Sequence, residues 1–250
     1  MDGAVLIAGP DAPAASHFRL ELVDEIGSTS EALRARAADA TSGEVALLAR
    51  RQTGGHGRLG RSWQSIDGNL HLSVLLRLST LQWPGHWSIL AAVALADTVC
   101  PYLPDRGSLH LKWPNDLMLH GGKLAGILLE AGVLHLPWLV IGFGVNLAGA
   151  PSGLGRPTTC LADVGSPPTP EQFASQLLES LQRWRECYDC EGFPPVQAAW
   201  LAMAHAPGDP IVAGVGQHRV HGTFRGLGSG GALVLDSSDG EVVIVAGELE

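Results

Sequence analysis

A glycine-rich loop between two predicted strands constrains this chain more than any other stretch. Residues 52–63 carry glycines, arginines and a final aromatic residue: Gly54, Gly55, Gly57, Arg58, Gly60, Arg61 and Trp63. Glycines permit backbone angles and close ligand approach that a Cβ would block, and guanidinium groups are flat, permanently charged donors suited to phosphate. The loop therefore predicts binding of an anion attached to a flat group, with an ordinary solvated surface loop as the alternative.

The spacing Gly55, Gly57, Gly60 matches the Gly-x-Gly-x-x-Gly pattern of dinucleotide-binding folds. That motif requires a strand before it and a helix after it. Residues 45–49 predict the strand, but residues 69–78 alternate as a second strand. The dinucleotide-binding interpretation fails, and the chain has no P-loop motif to replace it.

Composition limits the functional classes. The formal net charge is −9 and there is no basic tract, so general binding to nucleic acid or to an anionic membrane is not expected. No apolar run reaches the roughly 20 residues of a membrane span, and residues 1–10 lack the positive start of a signal peptide. Four cysteines in 250 residues form no disulfide scaffold, and Cys187 and Cys190 lack the second pair of a zinc site. These features predict a cytoplasmic protein.

Hydrophobic periodicity predicts a domain of mixed helices and strands followed by a small β module. Strands are expected over 20–26, 45–49, 69–78, 109–111, 123–131 and 138–146, and helices over 32–38, 87–100, 171–189 and 194–201. Gly121 and Gly122 are expected to form a hairpin turn, and residues 148–170 a surface loop. Four short strands over 211–215, 218–225, 232–236 and 242–246 predict a small barrel. The expected domains are residues 1–205 and 206–250.

Two further features carry candidate site residues. Of 16 basic residues only Lys112 and Lys123 are lysines, and they fall close together, which indicates a required point charge unless the clustering is chance. Ser28 and Glu31 fit a capping box; capping alone would explain Ser28, but a helix N-terminus also offers N–H groups to a polar ligand.

Taken together, five segments in order resemble the biotin–protein ligases: residues 27–30, 52–63, 112–116, 123–130 and 141–146. The resemblance continues through residues 225–234 and 247–248. It implies an α+β fold, with a mixed, largely antiparallel sheet and packed helices like the class II synthetases, and a small C-terminal SH3-like barrel.

The resemblance also implies the reaction. ATP activates biotin as biotinyl-5′-AMP with release of pyrophosphate, and biotin then passes to one lysine of a biotin carboxyl carrier protein domain. The carboxylate is itself the nucleophile, so catalysis needs cations and Mg²⁺ rather than a protein nucleophile. The expected catalytic residues are Arg58, Lys112, Asp116 and Lys123. Asp116 is the candidate for ordering Mg²⁺ or the incoming amine, with a turn-forming role as its alternative.

The resemblance to the family also assigns residues to each of the two ligands, biotin and the nucleotide. Biotin is expected to contact Ser28, Thr29, Ser30, Gln52, Gly55, His56, Gly57, Arg58, Lys123, Gly126, Gly142 and Gly144, the last three leaving room for its apolar body. The nucleotide is expected to contact Arg58, Arg61, Trp63, Asn115, Asn146 and Arg225. Residues 54–68 are expected to be mobile when empty and to order over the ligand.

Two departures from the family pattern are Ser30, where Asn is usual, and His56, where Arg is frequent. Only 19 residues precede the first predicted strand, too few for a helix-turn-helix domain, so a ligase without repressor function is expected, as a monomer or weak homodimer. The alternatives are a lipoate or octanoate ligase or transferase, and a non-catalytic biotin-binding module.

Overall fold

A seven-stranded mixed sheet forms the body of the protein. The computed structural model describes residues 18–39, 42–215 and 218–249. The strands are β1 (Arg19–Ile26), β2 (Val45–Gln52), β3 (Leu70–Arg77), β4 (Leu109–Lys112), β5 (Asp116–Leu119), β6 (Gly122–Val133) and β7 (Pro137–Val145). Their order is β1-β2-β3-β7-β6-β5-β4; β1 and β2 are parallel and every other pair is antiparallel. The expected mixed, largely antiparallel sheet is confirmed.

In the described part of the chain, four α-helices cover the two faces of this sheet unequally: α1 (Thr29–Ala37), α2 (Pro84–Val99), α3 (Pro170–Glu191) and α4 (Phe193–Leu201). Successive strand residues point to opposite faces, so Leu70, Leu72, Val74 and Leu76 of β3 enter the core that contains α2 and α3. Leu75 enters a smaller cluster beneath α1. The second face therefore has one short helix as cover, and part of it stays open.

The C-terminal strands form a second sheet, antiparallel and five-stranded. They are β8 (Pro210–Val215), β9 (His218–Leu227), β10 (Leu233–Ser237), β11 (Gly240–Ile244) and β12 (Glu248–Leu249), in the order β11-β10-β9-β8-β12. The four expected strands are present, and β12 is an addition to them. Phe224 of β9 packs near Trp200 of α4, with ring centroids 6.4 Å apart, and both belong to the main buried core.

The hairpin before β6 differs from the expectation. Leu119 pairs with Gly122, so the two turn residues are His120 and Gly121, not Gly121 and Gly122. Both have positive φ, 49° and 76°, as a tight hairpin turn of this hand requires. No helix in the described part of the chain is long and apolar enough to cross a membrane. The expectations for residues 1–10 lie outside the described residues.

Candidate active site

A cavity of about 770 Å³ opens on the face of the sheet that α1 covers only in part. Its floor is made by residues that alternate with the core residues of β3, β6 and β7: Ser73, Gly126, Leu128, Gly142 and Gly144. Farther along the same face, Leu75, Trp138 and Val140 pack beneath Leu33 of α1. The cavity exists because small residues replace large ones beyond the N-terminal end of α1, and its volume suits a small-molecule ligand.

Hydroxyl groups at the N-terminus of α1 line one end of the cavity. Ser28 caps the helix, its Oγ accepting from Glu31 N at 3.4 Å. The Thr29 and Ser30 hydroxyls lie 2.7 Å and 3.0 Å from Ser73 Oγ. Gln52 Oε1 accepts from both the backbone N (2.8 Å) and Oγ1 (3.0 Å) of Thr29, which leaves the Gln52 amide nitrogen able to donate to a ligand.

The glycine-rich loop folds back on itself as a narrow hairpin over the cavity. Gly57 N donates to Arg61 O at 2.7 Å, and Trp63 N donates to Gly55 O at 2.9 Å. A Cβ on Gly55 would lie 2.9 Å from Trp63 O, so this crossing requires glycine. Leu59 at the tip has a φ of 57° and is 70% exposed.

The Trp63 ring packs against the glycines of the cavity floor. A Cβ on Gly144 would lie 2.4 Å from Trp63 Cε2, and one on Gly126 would lie 3.4 Å from Trp63 Cζ3. The indole Nε1 is buried without a hydrogen-bond partner. Gly126 and Gly144 thus make room for the Trp63 ring in this structure, whereas the sequence led us to expect that they leave space for a ligand. A Cβ on Gly142 would meet Ser30 Oγ at 2.6 Å.

Two ion pairs lie across the cavity. Lys123 Nζ pairs with Asp116 Oδ1, and both side chains are largely buried. Burial lowers the pKa of Lys123, and the neighbouring Asp116 carboxylate partly opposes that shift. Arg61 donates twice to Glu248 of β12, at 2.5 Å and 2.7 Å, and this hydrogen bonding lowers the pKa of Glu248. Arg58 Nη1 donates to Asn115 Oδ1 at 3.3 Å.

The charges that line the cavity are mostly positive. The lining side chains include five cations, Arg58, Arg61, Lys112, Lys123 and Arg156, and two carboxylates, Asp116 and Glu248. In a chain with a formal net charge of −9, this concentration favours an anionic ligand. The hydroxyl-lined end and the cationic region lie in one cavity, so a single ligand or a pair of ligands can contact both.

Comparison with known proteins agrees with this geometry. The Biotin/lipoate A/B protein ligase family matches residues 25–146. The chain is 38% identical to the biotin--[acetyl-CoA-carboxylase] ligase of Paracoccus denitrificans over 89% of this chain and 95% of that protein. It is 35% identical to the ligase of the same name from Mycobacterium tuberculosis, over 92% of this chain and 88% of that one. The chain belongs to the biotin–protein ligase family.

The fold is that of the solved biotin protein ligases. The structure of the ligase from Aquifex aeolicus in complex with biotin and ATP superposes with a TM-score of 0.79 at 24% identity, covering 92% of this chain and 97% of that one. This match confirms the expected ligase fold, including the C-terminal sheet.

Most of the residues expected from the ligase motifs line the one cavity. They are Ser28, Thr29, Ser30, Gln52, His56, Gly57, Arg58, Arg61, Trp63, Lys112, Asn115, Asp116, Lys123, Gly126, Gly142 and Gly144. Gly55 is not among the lining residues and shapes the loop instead. Asn146 is buried behind the wall, where its Nδ2 donates to Lys123 O (3.3 Å) and Thr159 O (3.1 Å). In this position Asn146 holds the backbone of Lys123, and its expected contact with the nucleotide stays a prediction.

Arg225 is the expected site residue that the structure places elsewhere. Its Nη1 donates to Glu241 at 2.6 Å and to Asp236 at 3.3 Å on the exposed surface of the C-terminal sheet. Asp236 lies on β10, which pairs with β9, and Glu241 lies on β11, which pairs with β10, so Arg225 is engaged by carboxylates of its own sheet. The C-terminal strands contribute Glu248 and Leu249 to the lining instead.

Several lining residues were not singled out as site residues from the sequence, among them Ser73, Arg156, Glu248 and Leu249. Glu248 lies in the segment 247–248, which was included in the resemblance to the ligases but for which no role was expected. Ser73 lies in a strand of leucines, where a lone serine on the second face marks the open part of the sheet. Arg156 lies in the proline- and glycine-rich stretch expected to be a plain surface loop.

The Cys187 and Cys190 pair lies on α3, and both thiols are free. Within the described ranges no group of three or more His, Cys, Asp or Glu residues is arranged to hold a metal ion.

Proposed function

We propose that this chain is an ATP-dependent biotin–protein ligase that forms biotinyl-5′-AMP and transfers biotin to the acceptor lysine of a biotin carboxyl carrier protein domain. One observation carries the proposal: Lys123, Arg58 and Arg61 share a cavity with the hydroxyl groups at the start of α1. A cationic region next to a hydrogen-bonding region matches a ligand with a carboxylate at one end and a ureido ring at the other. The named ligases from Paracoccus denitrificans and Mycobacterium tuberculosis support the same activity.

The ureido ring of biotin is placed at the α1 end of the cavity. There the Ser28 and Thr29 hydroxyls and the Gln52 amide nitrogen supply donors and acceptors that the bicyclic ring can match. The apolar tail then runs over the floor of small residues toward Lys123. In this arrangement the carboxylate of biotin meets the Lys123 ammonium, which exchanges its ion pair with Asp116 for one with the ligand.

The first step joins two anions. A carboxylate oxygen of biotin attacks the α-phosphorus of ATP, the bond from that phosphorus to the bridging oxygen breaks, and pyrophosphate leaves with the electron pair. Arg58 and Arg61 neutralise the phosphates, and Lys123 holds the carboxylate in line, so the residues act by position and charge. Trp63 and Asn115 are placed against the adenosine.

The second step moves the acyl group. The acceptor amine attacks the carbonyl carbon of the adenylate, AMP leaves with the electron pair of the broken C–O bond, and the amine loses a proton. Asp116, freed from Lys123, is the carboxylate beside this position that can orient the incoming amine. Lys112, on the same wall, offsets charge on the departing phosphate.

Magnesium fits this site as an ion shared with the substrate. Mg²⁺ in nucleotide sites is commonly held by one or two carboxylates together with phosphate oxygens. Asp116 has Oδ2 free beside the ion pair of its Oδ1 with Lys123, and Oδ1 is freed as well once Lys123 pairs with the carboxylate of biotin. Asp116 would hold the ion, which when bound would offset charge on the phosphates.

The proposal includes two statements about organisation. Residues 1–205 form the catalytic unit, and residues 206–250 form a docked module that contributes Glu248 to the cavity. The reaction takes place in the cytoplasm, where ATP is available and where the four free cysteines remain reduced.

The experiment combines the purified chain with biotin, ATP, Mg²⁺ and a carrier domain. We expect pyrophosphate release that depends on biotin, followed by one biotin on one lysine of the carrier. A carrier with that lysine replaced by arginine is the matched control. Biotin binding without pyrophosphate release would favour the non-catalytic module, and equal use of lipoate or octanoate would favour the lipoate-type alternative.

A further inference from the structure

The segment of residues 154–157 is tied to the residue that carries the buried amine of the site. Lys123 N donates to Pro157 O at 3.0 Å, and Thr159 N donates to Lys123 O at 3.2 Å. Asn146 Nδ2 donates to both Lys123 O and Thr159 O, and Thr158 Oγ1 donates to Pro151 O at 2.5 Å. This part of the loop is thereby attached along the start of β6, and it forms one wall of the cavity.

Arg156 lies on this wall and has no counter-ion among the residues that the structure describes. Arg61 is paired with Glu248 and Lys123 with Asp116, whereas Arg156 makes no ion pair or hydrogen bond with any residue of the described ranges. Its charge acts on two groups of the site: it lowers the pKa of Lys123, where burial is the larger cause, and it lowers the pKa of Glu248, where the Arg61 hydrogen bond is the larger cause.

The charges of three guanidinium groups act on the Glu248 carboxylate. Arg61 contacts it directly, and the charges of Arg58 and Arg156 both lower its pKa. Two of these arginines come from the glycine-rich loop and the third from the segment of residues 154–157, and all three line the cavity. Three positive groups around one carboxylate leave an excess of charge directed into the cavity, which a multiply charged anion can neutralise.

We propose that Arg156 binds the β- and γ-phosphates of ATP, and the pyrophosphate product, as the third guanidinium of a cluster formed with Arg58 and Arg61. This inference rests on the proposed ligase function and assigns to it a substrate-contacting residue. When the bond between the α-phosphorus and the bridging oxygen breaks, the electron pair stays on that oxygen of pyrophosphate. A guanidinium at that end stabilises the charge as it develops. Arg156 can do so without giving up an existing ion pair, unlike Arg61.

The alternative partner for an exposed arginine beside the cavity is an acidic surface of the carrier domain. The position of Arg156 favours the nucleotide, because its segment is bonded to Lys123 inside the site and because its charge reaches both Lys123 and Glu248. The two occupants affect different half-reactions, so kinetics separates them.

The test uses the full chain with Arg156→Gln, Arg156→Lys and the control Arg106→Gln, which removes an exposed arginine outside the cavity lining. Biotin-dependent exchange between ATP and pyrophosphate is measured with ATP and with pyrophosphate varied. For Arg156→Gln we expect the KM for ATP and the inhibition constant of pyrophosphate each to rise about tenfold, since a charge-assisted hydrogen bond is lost. Arg156→Lys should recover part of both, while the Kd for biotin and the thermal unfolding temperature stay unchanged.

Two results would overturn the inference. One is a KM for ATP and a pyrophosphate inhibition constant in Arg156→Gln equal to those of Arg106→Gln. The other is a raised KM for the carrier domain alone, which would assign Arg156 to the carrier. In both cases the unsubstituted chain still catalyses the exchange, so the ligase function itself survives; absence of exchange in the unsubstituted chain would refute that function instead.

Discussion

Replacing Asp116 by asparagine removes the counter-ion of an amine that the fold keeps from water. The side chains of Lys123 and Asp116 are 11% and 18% exposed, and burial already lowers the pKa of Lys123. Breaking a buried ion pair on one side costs about 3–5 kcal/mol, and the residual exposure of this pair places the cost near ~2–3 kcal/mol of unfolding free energy. Lys123→Met leaves the Asp116 carboxylate without its counter-ion and should cost less, about 1–2 kcal/mol, because that carboxylate is the more exposed of the two groups.

The sign of the pH dependence follows from the lowered pKa. Because burial lowers the folded pKa of Lys123 below its ordinary value of 10.5, the penalty on the charged amine is fully present at pH values below that folded pKa. It is relieved as the pH rises from the folded pKa toward 10.5, so the stability of Asp116→Asn should recover on alkaline titration. In the variant this window begins at a lower pH, since the carboxylate that opposed the shift is gone.

The assay is urea unfolding of four proteins: the unsubstituted chain, the two single variants and the double variant Lys123→Met/Asp116→Asn. We expect the double variant to be more stable than Asp116→Asn alone, with a coupling energy of about 2 kcal/mol between the two sites. Saturating biotin should stabilise Asp116→Asn more than the unsubstituted chain, because the carboxylate of biotin then supplies the missing counter-ion. Additive single effects, or equal stabilisation by biotin, would refute the role given to this pair.

Three further predictions concern the cavity floor, a buried histidine of β3 and the glycine-rich loop. Gly144→Ala places a methyl group 2.4 Å from the Trp63 ring, so the indole must move. We expect roughly tenfold slower adenylate formation and altered tryptophan fluorescence. Gly43→Ala, whose added methyl group meets open space, is the control that should change neither. Burial lowers the pKa of His71 to about 4, so the unfolded chain gains a proton between pH 7 and pH 5 that the native chain does not. Over this range the free energy of unfolding should fall ~2 kcal/mol more in the unsubstituted chain than in His71→Gln. Urea midpoints of the two proteins that change in parallel with pH would contradict this. Arg58→Gly should let biotinyl-5′-AMP escape and label many lysines of added proteins, about tenfold above the unsubstituted chain, whereas labelling confined to the carrier lysine would count against Arg58 as a phosphate ligand.

The sheet and the deeply buried helix were predictable because their patterns are local. The alternation of Leu70, Leu72, Val74 and Leu76 predicts one buried face, and the nearly continuous apolar stretch of α2 predicts burial on all sides. The turn before β6 was misplaced by one residue because consecutive glycines at 121 and 122 both permit a positive φ. The choice of His120 and Gly121 depends on the register of β5 against β6, which a linear pattern does not contain.

The site residues that lie in sequence motifs were predictable, whereas contacts between segments far apart in the sequence were not. Arg58, Asp116 and Lys123 stand in motifs that match a family, and the structure brings them into one cavity. The Arg61–Glu248 contact joins residues 187 positions apart, so no local signal indicates it. Arg225 illustrates the converse, because its motif matches the family while its own neighbours on β10 and β11 engage the guanidinium on the outer surface.

Mobility of residues 54–68 in the empty protein stays a prediction. Limited proteolysis with and without biotin tests it, since ligand contacts at Arg58 and Gly57 should protect the loop from cleavage. Equal cleavage rates in the two conditions would argue that the loop is already ordered.

The most direct test of the central claim is a single-turnover experiment with the purified chain, radiolabelled ATP, Mg²⁺ and biotin, before any carrier is added. Our account predicts one equivalent of biotinyl-5′-AMP retained by the protein together with one of pyrophosphate, and transfer to a single carrier lysine once the carrier is supplied. ATP left intact in the presence of biotin by a folded, biotin-binding chain would contradict it.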